Sequence, residues 1–345
     1  MNQDQVFVVT GGSAGLGRAI VNKIAERKAA VAVIARGEER VEAACAAVRE
    51  AGGRALALPL DVADADAVMQ AARRVEQELG PIDVWINNAM VSVFSPVKKM
   101  EAAEYRRVTE VTYLGYVHGT LAALEHMLPR DRGVIIQVGS ALAHRAIPLQ
   151  SAYCASKHAM KGFTESLITE LLHDKSKVRV TMVQMPAMNT PQFDWVKSRL
   201  KDRGQPVPPI FQPEVGAHAV LHAVDNDVGR ELLVAWPTVK AVFGEKFVPG
   251  YIDQVLARDG YSSQQTDEPE DPNRPNNLFE PVPGDYAAHG RFDARAHGDS
   301  AELEVRLHRD WLMLAGGLIG GVALSRLGKS RRRARQQLTE PPAAG

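Results

Sequence analysis

The chain has 345 residues, of which 45% are hydrophobic, so it is long enough for one large α/β domain with appended segments. Its 41 basic residues balance its 41 acidic residues, and this neutrality argues against a nucleic-acid-binding protein. The two cysteines, Cys45 and Cys154, are too few for a disulfide framework and indicate a reducing compartment. A short polar start leads directly into an apolar run and a glycine-rich turn, so we expect a cytoplasmic amino end without a signal peptide.

Short β-rich runs alternate with amphipathic helical stretches through most of the chain. The predicted strands cover residues 6–9, 30–35, 54–60, 82–86, 134–138, 178–184 and 231–235. The predicted helices cover residues 15–27, 38–51, 64–79, 102–127, 151–173, 213–225 and 239–256. Because βαβ crossovers are nearly always right-handed, this alternation predicts an α/β fold with a doubly wound parallel sheet of the Rossmann type and about seven strands.

The composition changes after the last of these helices. We expect a Rossmann-type domain over residues 1–258, a polar, proline-rich and irregular linker over 259–300, and an apolar helix with a basic tail over 301–345. Residues 311–324 carry no charge, and basic residues cluster at 326–335. The pattern predicts a helix over 311–327 that contacts a membrane from the cytoplasmic side, or else docks on the domain or on a dimer partner.

Glycine residues crowd the turn between the first predicted strand and the first helix. Glycines let the backbone approach a pyrophosphate, and the N-terminus of the following helix offers free N–H groups and a partial positive charge. The sequence therefore predicts a dinucleotide-binding turn rather than an ordinary βα turn. The turn has the spacing T-G-x-x-x-G-x-G and reads Thr10, Gly11, Gly12, Ser13, Ala14, Gly15, Leu16 and Gly17.

The end of the second predicted strand indicates which dinucleotide binds. A site for NAD normally has an acidic residue there to hold the ribose hydroxyls, whereas this chain has Arg36 and no carboxylate. The planar guanidinium of Arg36 suits a 2′-phosphate, with Arg40 and Ser13 as helpers. The predicted coenzyme is thus NADP(H), with NAD(H) as the alternative. After the third strand, Asp61 and Val62 are placed to meet the adenine, unless Asp61 serves instead to start the next helix.

Tyr153 and Lys157 are four positions apart, which places them on one face of a predicted helix. A neighbouring ammonium and an oxidised nicotinamide would both lower the pKa of the Tyr153 phenol, so the pair forms a tunable proton donor. Ser140 ends the fifth predicted strand, where its hydroxyl can bond a substrate oxygen as charge develops. Together, in this order after a glycine turn, the three residues predict a catalytic group rather than a solvated helix face.

These motifs resemble those of the short-chain dehydrogenase/reductase family, in its branch with a core of ~250 residues. The likeness covers residues 5–256. It implies hydride transfer at a nicotinamide, with Tyr153 exchanging the proton and Lys157 also holding the nicotinamide ribose. It further implies that Asn88 supports the central strand and the coenzyme, and that Thr190 contacts the carboxamide. The remaining matched residues are Asn87, Ala89 and Met90 after the fourth strand and Pro186, Ala187, Met188 and Asn189 after the sixth.

Three departures from the family pattern bear on the site. Met90 stands where the family has glycine and should narrow the pocket, and Ala187 replaces another glycine. Thr112 stands where the family has a catalytic asparagine, which helps to hold a water in a proton relay to Lys157. Thr112 is shorter and β-branched, so the relay is expected to be rebuilt by other waters, slowed, or lost.

The sequence as a whole predicts an NADP(H)-dependent oxidoreductase that interconverts a carbonyl and an alcohol on a small or medium, lipophilic substrate. Residues 188–212 should form its lid. The alternative is a nucleotide-binding sensor or scaffold that has lost turnover, for which Thr112 is the support. His218 and His222 lack a third ligand nearby, so no metal site is expected. The family resemblance implies a homodimer or homotetramer through the helices near 101–127 and 151–173.

Overall fold

The computed structural model describes residues 4–307, and a parallel sheet of seven strands lies at its centre. In spatial order the strands run β3-β2-β1-β4-β5-β6-β7. Their bounds are β1 Val6–Thr10, β2 Ala30–Ala35, β3 Arg54–Pro59, β4 Ile82–Asn87, β5 Val134–Ser140, β6 Arg179–Met185 and β7 Glu231–Leu233. The predicted doubly wound parallel sheet is therefore confirmed.

The strands form because their sequences are almost continuously apolar. Every residue of β1 and β6 except Arg179 is buried, and β2 is buried except at its last residue. A strand of this kind fits the middle of a parallel sheet, where helices cover both faces. The helices in the same unit are α1 Gly15–Glu26, α2 Glu38–Glu50, α3 Ala65–Glu78, α4 Ala102–Thr109, α5 Gly115–Met127, α6 Ser151–His173, α7 Gln192–Trp195, α8 Pro213–Asp225, α9 Ala235–Phe247 and α10 Pro249–Asp259.

Two stretches predicted as single helices are interrupted. Between α4 and α5, residues Glu110–Leu114 form a π-helical turn. Between α9 and α10 the helix breaks at Val248, because Pro249 has no N–H to continue the helical ladder and instead occupies the first turn of the next helix. The first interruption lies beside the candidate site, where it changes the direction in which nearby side chains point.

Strand order fixes where a ligand can bind. The chain leaves β1 toward β2 on one side and later returns to β4 on the other side, so a crevice opens at the carboxyl ends of these two strands. The loops after β1, β2, β4, β5 and β6 all reach this edge of the sheet.

Residues 262–300 differ from the predicted free linker. They contain little regular structure, but they belong to the same compact unit as the sheet, which extends to Ser300. Gln265–Pro269 pairs antiparallel with Asp202–Gly204, and Ala296–His297 pairs in parallel with Ile210–Phe211. The segment folds onto the domain through a few buried apolar anchors, although its average composition is polar. These anchors are Leu278, Ala288 and Phe292.

A second unit begins at Ala301, and its described part is the helix α11 Ala301–Leu307. Residues 308–345 lie outside the described residues, and with them the predicted membrane-contacting segment 311–327. None of the helices within residues 4–307 combines the length and apolarity needed to cross a membrane.

Candidate active site

A cavity of about 420 Å³ lies at the carboxyl ends of the strands. It collects residues that the sequence analysis chose from seven separate segments of the chain. Thr10 and Thr112, which were also chosen, do not line it. The predicted site residues in its wall are Gly11, Ser13, Gly15, Leu16, Gly17, Arg36, Asp61, Val62, Asn88, Ala89, Ser140, Tyr153, Lys157, Pro186 and Thr190.

The glycine turn closes one end of the cavity and has no room for side chains. Gly11 has a φ of +66°, which favours glycine, and a Cβ atom on Gly17 would lie 2.0 Å from the carbonyl oxygen of Gly11. The Asn88 amide donates to the carbonyl oxygens of Thr10 and Gly11 at 3.1 and 3.2 Å, and the hydroxyl of Thr10 accepts from the backbone N–H of Asn88 at 2.9 Å. Thr10 and Asn88 thus fix the turn to β4, and the start of α1 faces the cavity.

The end of β2 presents Arg36 to the same cavity. Its guanidinium donates to the backbone carbonyl oxygens of Asn277 and Phe279, the latter at 2.6 Å. Asp61 accepts from the guanidinium of Arg107 and from the backbone N–H of Ala63. The N-cap of α3 is Asp64, which accepts from Ala67 N–H at 3.0 Å, so the helix-start alternative for Asp61 is not what the structure shows.

At the other end of the cavity, β5 and α6 bring three side chains together. Ser140 is the last residue of β5; its hydroxyl accepts from the backbone N–H of Leu142 at 3.1 Å, and the residue lines the same cavity as Tyr153. Lys157 lies one turn along α6, with its Nζ 5.7 Å from the centre of the Tyr153 ring. The arrangement can bind an oxygen atom with two hydroxyl groups and keep a cation behind them.

Burial sets the ionisation of this group. It raises the pKa of Tyr153, against the opposing effect of the hydrogen bond from Ser140, and it lowers the pKa of Lys157 to about 7. The sequence analysis expected the neighbouring ammonium to lower the pKa of the phenol. In the protein without coenzyme the pKa is raised instead. The reason is that burial penalises phenolate and ammonium alike.

Comparison with known proteins assigns the family. The model of the short chain dehydrogenase family matches residues 5–200. The chain belongs to the short-chain dehydrogenase family. An uncharacterized oxidoreductase of Bacillus subtilis, YxnA, is 30% identical over 81% of this chain and 78% of its own length. A fatty acyl-CoA reductase of Acinetobacter baylyi is 31% identical over 64% of this chain and 72% of its own length.

Solved structures of short-chain dehydrogenases have the same fold. An alcohol dehydrogenase of the archaeon Thermococcus sibiricus, complexed with 5-hydroxy-NADP, has a TM-score of 0.58 at 25% identity and covers 67% of this chain and 95% of its own. A metagenomic short-chain oxidoreductase in complex with NADP has a TM-score of 0.57 at 29% identity, with coverages of 67% and 97%. The chain is thus a member of an oxidoreductase family whose cavity is consistent with a nicotinamide coenzyme.

Within this short-chain dehydrogenase, Thr112 connects two backbone segments and does not line the cavity. Its buried hydroxyl donates to the carbonyl oxygen of Val91 at 2.8 Å and accepts from the N–H of Val91 at 3.0 Å. It therefore ties the π-helical turn to the loop after β4. Lys157 instead donates to Tyr116, which the sequence analysis missed. The available signal was spacing, since Tyr116 lies four residues after Thr112.

The sequence analysis also missed the part of the cavity wall that comes from the polar segment, namely Asn277 and Pro281. No motif marks these residues, because Asn277 contributes its backbone carbonyl to Arg36. Among the residues that the structure describes, no three His, Cys, Asp or Glu side chains cluster in a way that could hold a metal ion.

Proposed function

We propose that this short-chain dehydrogenase is an NADP(H)-dependent enzyme that interconverts a carbonyl and an alcohol. The observation that carries the proposal is the convergence of Ser140, Tyr153 and Lys157 on the cavity that the glycine turn closes. A nicotinamide coenzyme supplies or accepts the hydride when it is bound. The glycine turn fits its pyrophosphate, because Gly11 and Gly17 have no room for a Cβ atom and the turn packs closely against the loop after β4, while the N-terminus of α1 lies at the cavity.

Ser140, Tyr153 and Lys157 each have a different role in the proposed reaction. The hydroxyls of Ser140 and Tyr153 hold the substrate oxygen and stabilise its developing charge. Burial keeps Tyr153 protonated, which is the form that donates to a carbonyl oxygen during reduction. Lys157 provides positive charge behind the phenol and a donor toward the coenzyme ribose.

Coenzyme preference rests on the end of β2 in this proposal. Arg36 and Arg40 both line the cavity, and no carboxylate follows β2 where an NAD site would need one. Two similar solved structures contain NADP or 5-hydroxy-NADP, which supports the choice of NADP(H) over NAD(H).

The substrate end of the cavity supports a small or medium, lipophilic substrate. Its wall there is mostly apolar, and Met90 also lines the cavity, where its side chain is expected to narrow the pocket. The relative in Acinetobacter baylyi that reduces fatty acyl-CoA agrees with an apolar substrate class. The apolar lining residues are Leu142, Ile147, Met188, Phe193, Val207 and Pro208.

The test is an activity screen of the purified chain with aliphatic and aromatic ketones and aldehydes, using NADPH and NADH in parallel. We expect turnover that is faster with NADPH and that increases with the apolar size of the substrate. Coenzyme binding without turnover on any substrate of the panel would favour the alternative, a nucleotide-binding sensor or scaffold. Absence of coenzyme binding would refute both.

We further propose a homo-oligomer that uses α5 and α6, as in the family. Each helix exposes a large apolar side chain, with Leu121 52% exposed on α5 and Leu172 71% exposed on α6. Sedimentation velocity on the wild-type chain and on a Leu121→Glu, Leu172→Glu variant tests this, because a monomeric wild type would exclude it.

A further inference from the structure

Lys157 is held by two oxygen atoms inside the protein. Its Nζ donates to the hydroxyl of Tyr116 at 2.9 Å and to the carbonyl oxygen of Val138 at 2.7 Å. The Tyr116 hydroxyl in turn donates to the same carbonyl oxygen at 2.9 Å. The ammonium has three N–H groups, so one remains for a partner in the cavity that Lys157 lines.

Tyr116 reaches this place from the helix that carries Thr112. The two residues are four apart and lie on the same side of the chain, across the end of the π-helical turn. Tyr116 is 1% exposed, and the Lys157 ammonium lies 4.5 Å from the centre of its ring. Its hydroxyl therefore occupies a place beside Lys157 where a water could otherwise accept from the ammonium.

We propose that Tyr116 is a positioning residue for Lys157, and that its hydroxyl replaces the water which an asparagine at position 112 would hold. This inference rests on the proposed function, because it assumes that Lys157 serves a coenzyme site. The Tyr116 hydroxyl donates a hydrogen bond to the Val138 carbonyl oxygen. Tyr116 and Val138 together therefore fix the Lys157 ammonium and leave its third N–H for the coenzyme ribose.

The proposal predicts a change in pH dependence. Two titratable groups face the Lys157 ammonium, Tyr153 from its own helix and Tyr116 from α5, and burial lowers the pKa of Lys157 to about 7. An acceptor favours the charged amine, so removing the Tyr116 hydroxyl should lower this pKa further, by about one unit for one hydrogen bond to a charged group.

The experiment compares Tyr116→Phe with Tyr113→Phe in the full chain. Tyr113 lies in the same π-helical turn and has a half-buried ring, so its variant also loses a single hydroxyl. NADPH affinity is measured by fluorescence titration between pH 5.5 and 9, and kcat/KM is measured over the same range. In wild type and Tyr113→Phe we expect affinity to fall as the pH rises through the pKa of Lys157. In Tyr116→Phe the midpoint should lie about one pH unit lower.

A midpoint does not depend on the fraction of folded protein, so partial unfolding cannot imitate the expected shift. Equal midpoints in Tyr116→Phe and wild type would overturn the proposal, even if the variant were less active. A chain that binds NADPH but shows no turnover would contradict the proposed function, while the binding titration would still decide the role of Tyr116.

A second inference concerns residues 277–287, which we name the strap. The strap crosses the end of the cavity where Arg36 lies. Besides the bonds to Arg36, its Leu278 carbonyl accepts from Arg107 Nε at 3.0 Å, and its Ala287 carbonyl accepts from the N–H of Gly15 at 2.9 Å. Its backbone thus contacts both the end of β2 and the glycine turn.

Side chains anchor the strap at both ends. Leu278 is fully buried in the core cluster that contains Val62 and Val108. The ring of Tyr286 packs edge-on against Trp195 with centres 4.6 Å apart, and the guanidinium of Arg40 lies 5.8 Å from the Tyr286 ring.

We infer that the strap is part of the coenzyme site and covers the adenosine end, so that the coenzyme enters and leaves only when the strap moves away. This inference also rests on the proposed function. It follows from the cavity wall, since Asn277 and Pro281 of the strap line the same cavity as Arg36 and Asp61. Strap carbonyls accept from the Gly15 N–H and from the Arg36 guanidinium, so a coenzyme that extends from the glycine turn to Arg36 would have to take over these donors, which the strap releases when it moves away.

Stopped-flow NADPH fluorescence tests this inference with Tyr286→Ala and with Phe279→Ala as the matched control. Both variants remove an aromatic ring from the strap, but the ring of Phe279 is 49% exposed. We expect Tyr286→Ala to raise the association and dissociation rates of NADPH at least fivefold, and Phe279→Ala to change them less than twofold. If Tyr286→Ala and Leu278→Ala both bind NADPH at wild-type rates while keeping a cooperative thermal transition, the strap does not gate the site. Failure of the wild-type chain to bind NADPH would refute the proposed function instead.

Discussion

Replacing Arg36 by alanine tests how the end of β2 selects the coenzyme. In the structure the Arg36 guanidinium lines the cavity and donates to strap carbonyls at Asn277 and Phe279. The variant therefore removes two kinds of contact. One is the proposed bond to a 2′-phosphate, which only NADPH offers. The other is the link to the strap, which affects both coenzymes.

The size of the effect follows from the phosphate contact. One hydrogen bond between charged groups contributes about 1.5–3 kcal/mol, and each 1.36 kcal/mol is a factor of ten. The ratio of kcat/KM for NADPH to kcat/KM for NADH should therefore fall about 10- to 150-fold in Arg36→Ala. We expect the lower part of this range, because Arg40 also lines the cavity and keeps one positive charge there.

The assay is steady-state kinetics with one reducible substrate and both coenzymes, in parallel with Arg107→Ala. Arg107 hydrogen-bonds to the strap at Leu278 and to Asp61 but does not line the cavity, so its variant reports the loss of these two contacts without removing a positive charge from the cavity wall. A coenzyme ratio that falls in Arg36→Ala and is constant in Arg107→Ala supports the 2′-phosphate role. If both variants lose activity equally with NADPH and NADH, the assignment of Arg36 is refuted.

Four other predictions address the group of catalytic side chains, the glycine turn and the tail. Tyr153→Phe should lower kcat at least ~100-fold and change the NADPH dissociation constant less than threefold, because the phenolic proton is needed only as charge develops. Lys157→Met should abolish turnover yet raise the free energy of unfolding of the coenzyme-free chain at pH 7 by about 1–4 kcal/mol, as measured by urea denaturation, because a buried amine is costly. Gly17→Ala should weaken NADPH binding at least ~10-fold, since its Cβ atom would overlap a backbone oxygen, whereas Gly162→Ala, with open space around its Cβ position, should bind normally and be slightly more stable. The full chain should sediment with membranes and be released by detergent, whereas a chain ending at Ser300 should stay in the supernatant and remain active.

Each of these has an outcome that contradicts it. The stability gain in Lys157→Met should shrink as the pH rises from about 7 toward 10.5, because the unfolded lysine then also loses its proton; a constant gain would show that packing, not charge, is the cause. Ordinary turnover in Tyr153→Phe would exclude the proton-transfer role. A normal NADPH affinity in Gly17→Ala would exclude the glycine turn from the coenzyme site. A full chain that remains in solution at low salt without detergent would exclude membrane contact.

The fold was predictable because the same signal repeats along the chain. Each strand candidate is a short apolar run between amphipathic helices, and the observed strands begin and end within about two residues of the predicted ones. The limits of α6 and α8 agree fully with the prediction. The π-helical turn at Glu110–Leu114 was not predicted, because the apolar pattern over 102–127 was read as one continuous helix.

The candidate site was predictable where it depends on side chains in a motif. The glycine turn, Ser140, Tyr153 and Lys157 converge as the spacing indicates. The ionisation of the group was not predictable, because it depends on how completely water is excluded. Sequence spacing places an ammonium near a phenol, but only the fold shows that burial outweighs their attraction and keeps the phenol protonated.

The strap shows how a segment of polar composition can pack on a folded unit. A polar segment cannot form its own core, and that argument holds for residues 262–300 in isolation. The same segment can become ordered when a folded domain provides hydrogen-bond donors and an apolar pocket for its side chains. Here Arg36 and Arg107 supply the donors, the core around Val62 receives Leu278, and the backbone carbonyls of the strap accept. Every residue carries a backbone carbonyl, so the contacts to Arg36 and Arg107 leave no trace in the side-chain sequence, and only a few buried apolar residues, among them Leu278, mark where the segment is anchored.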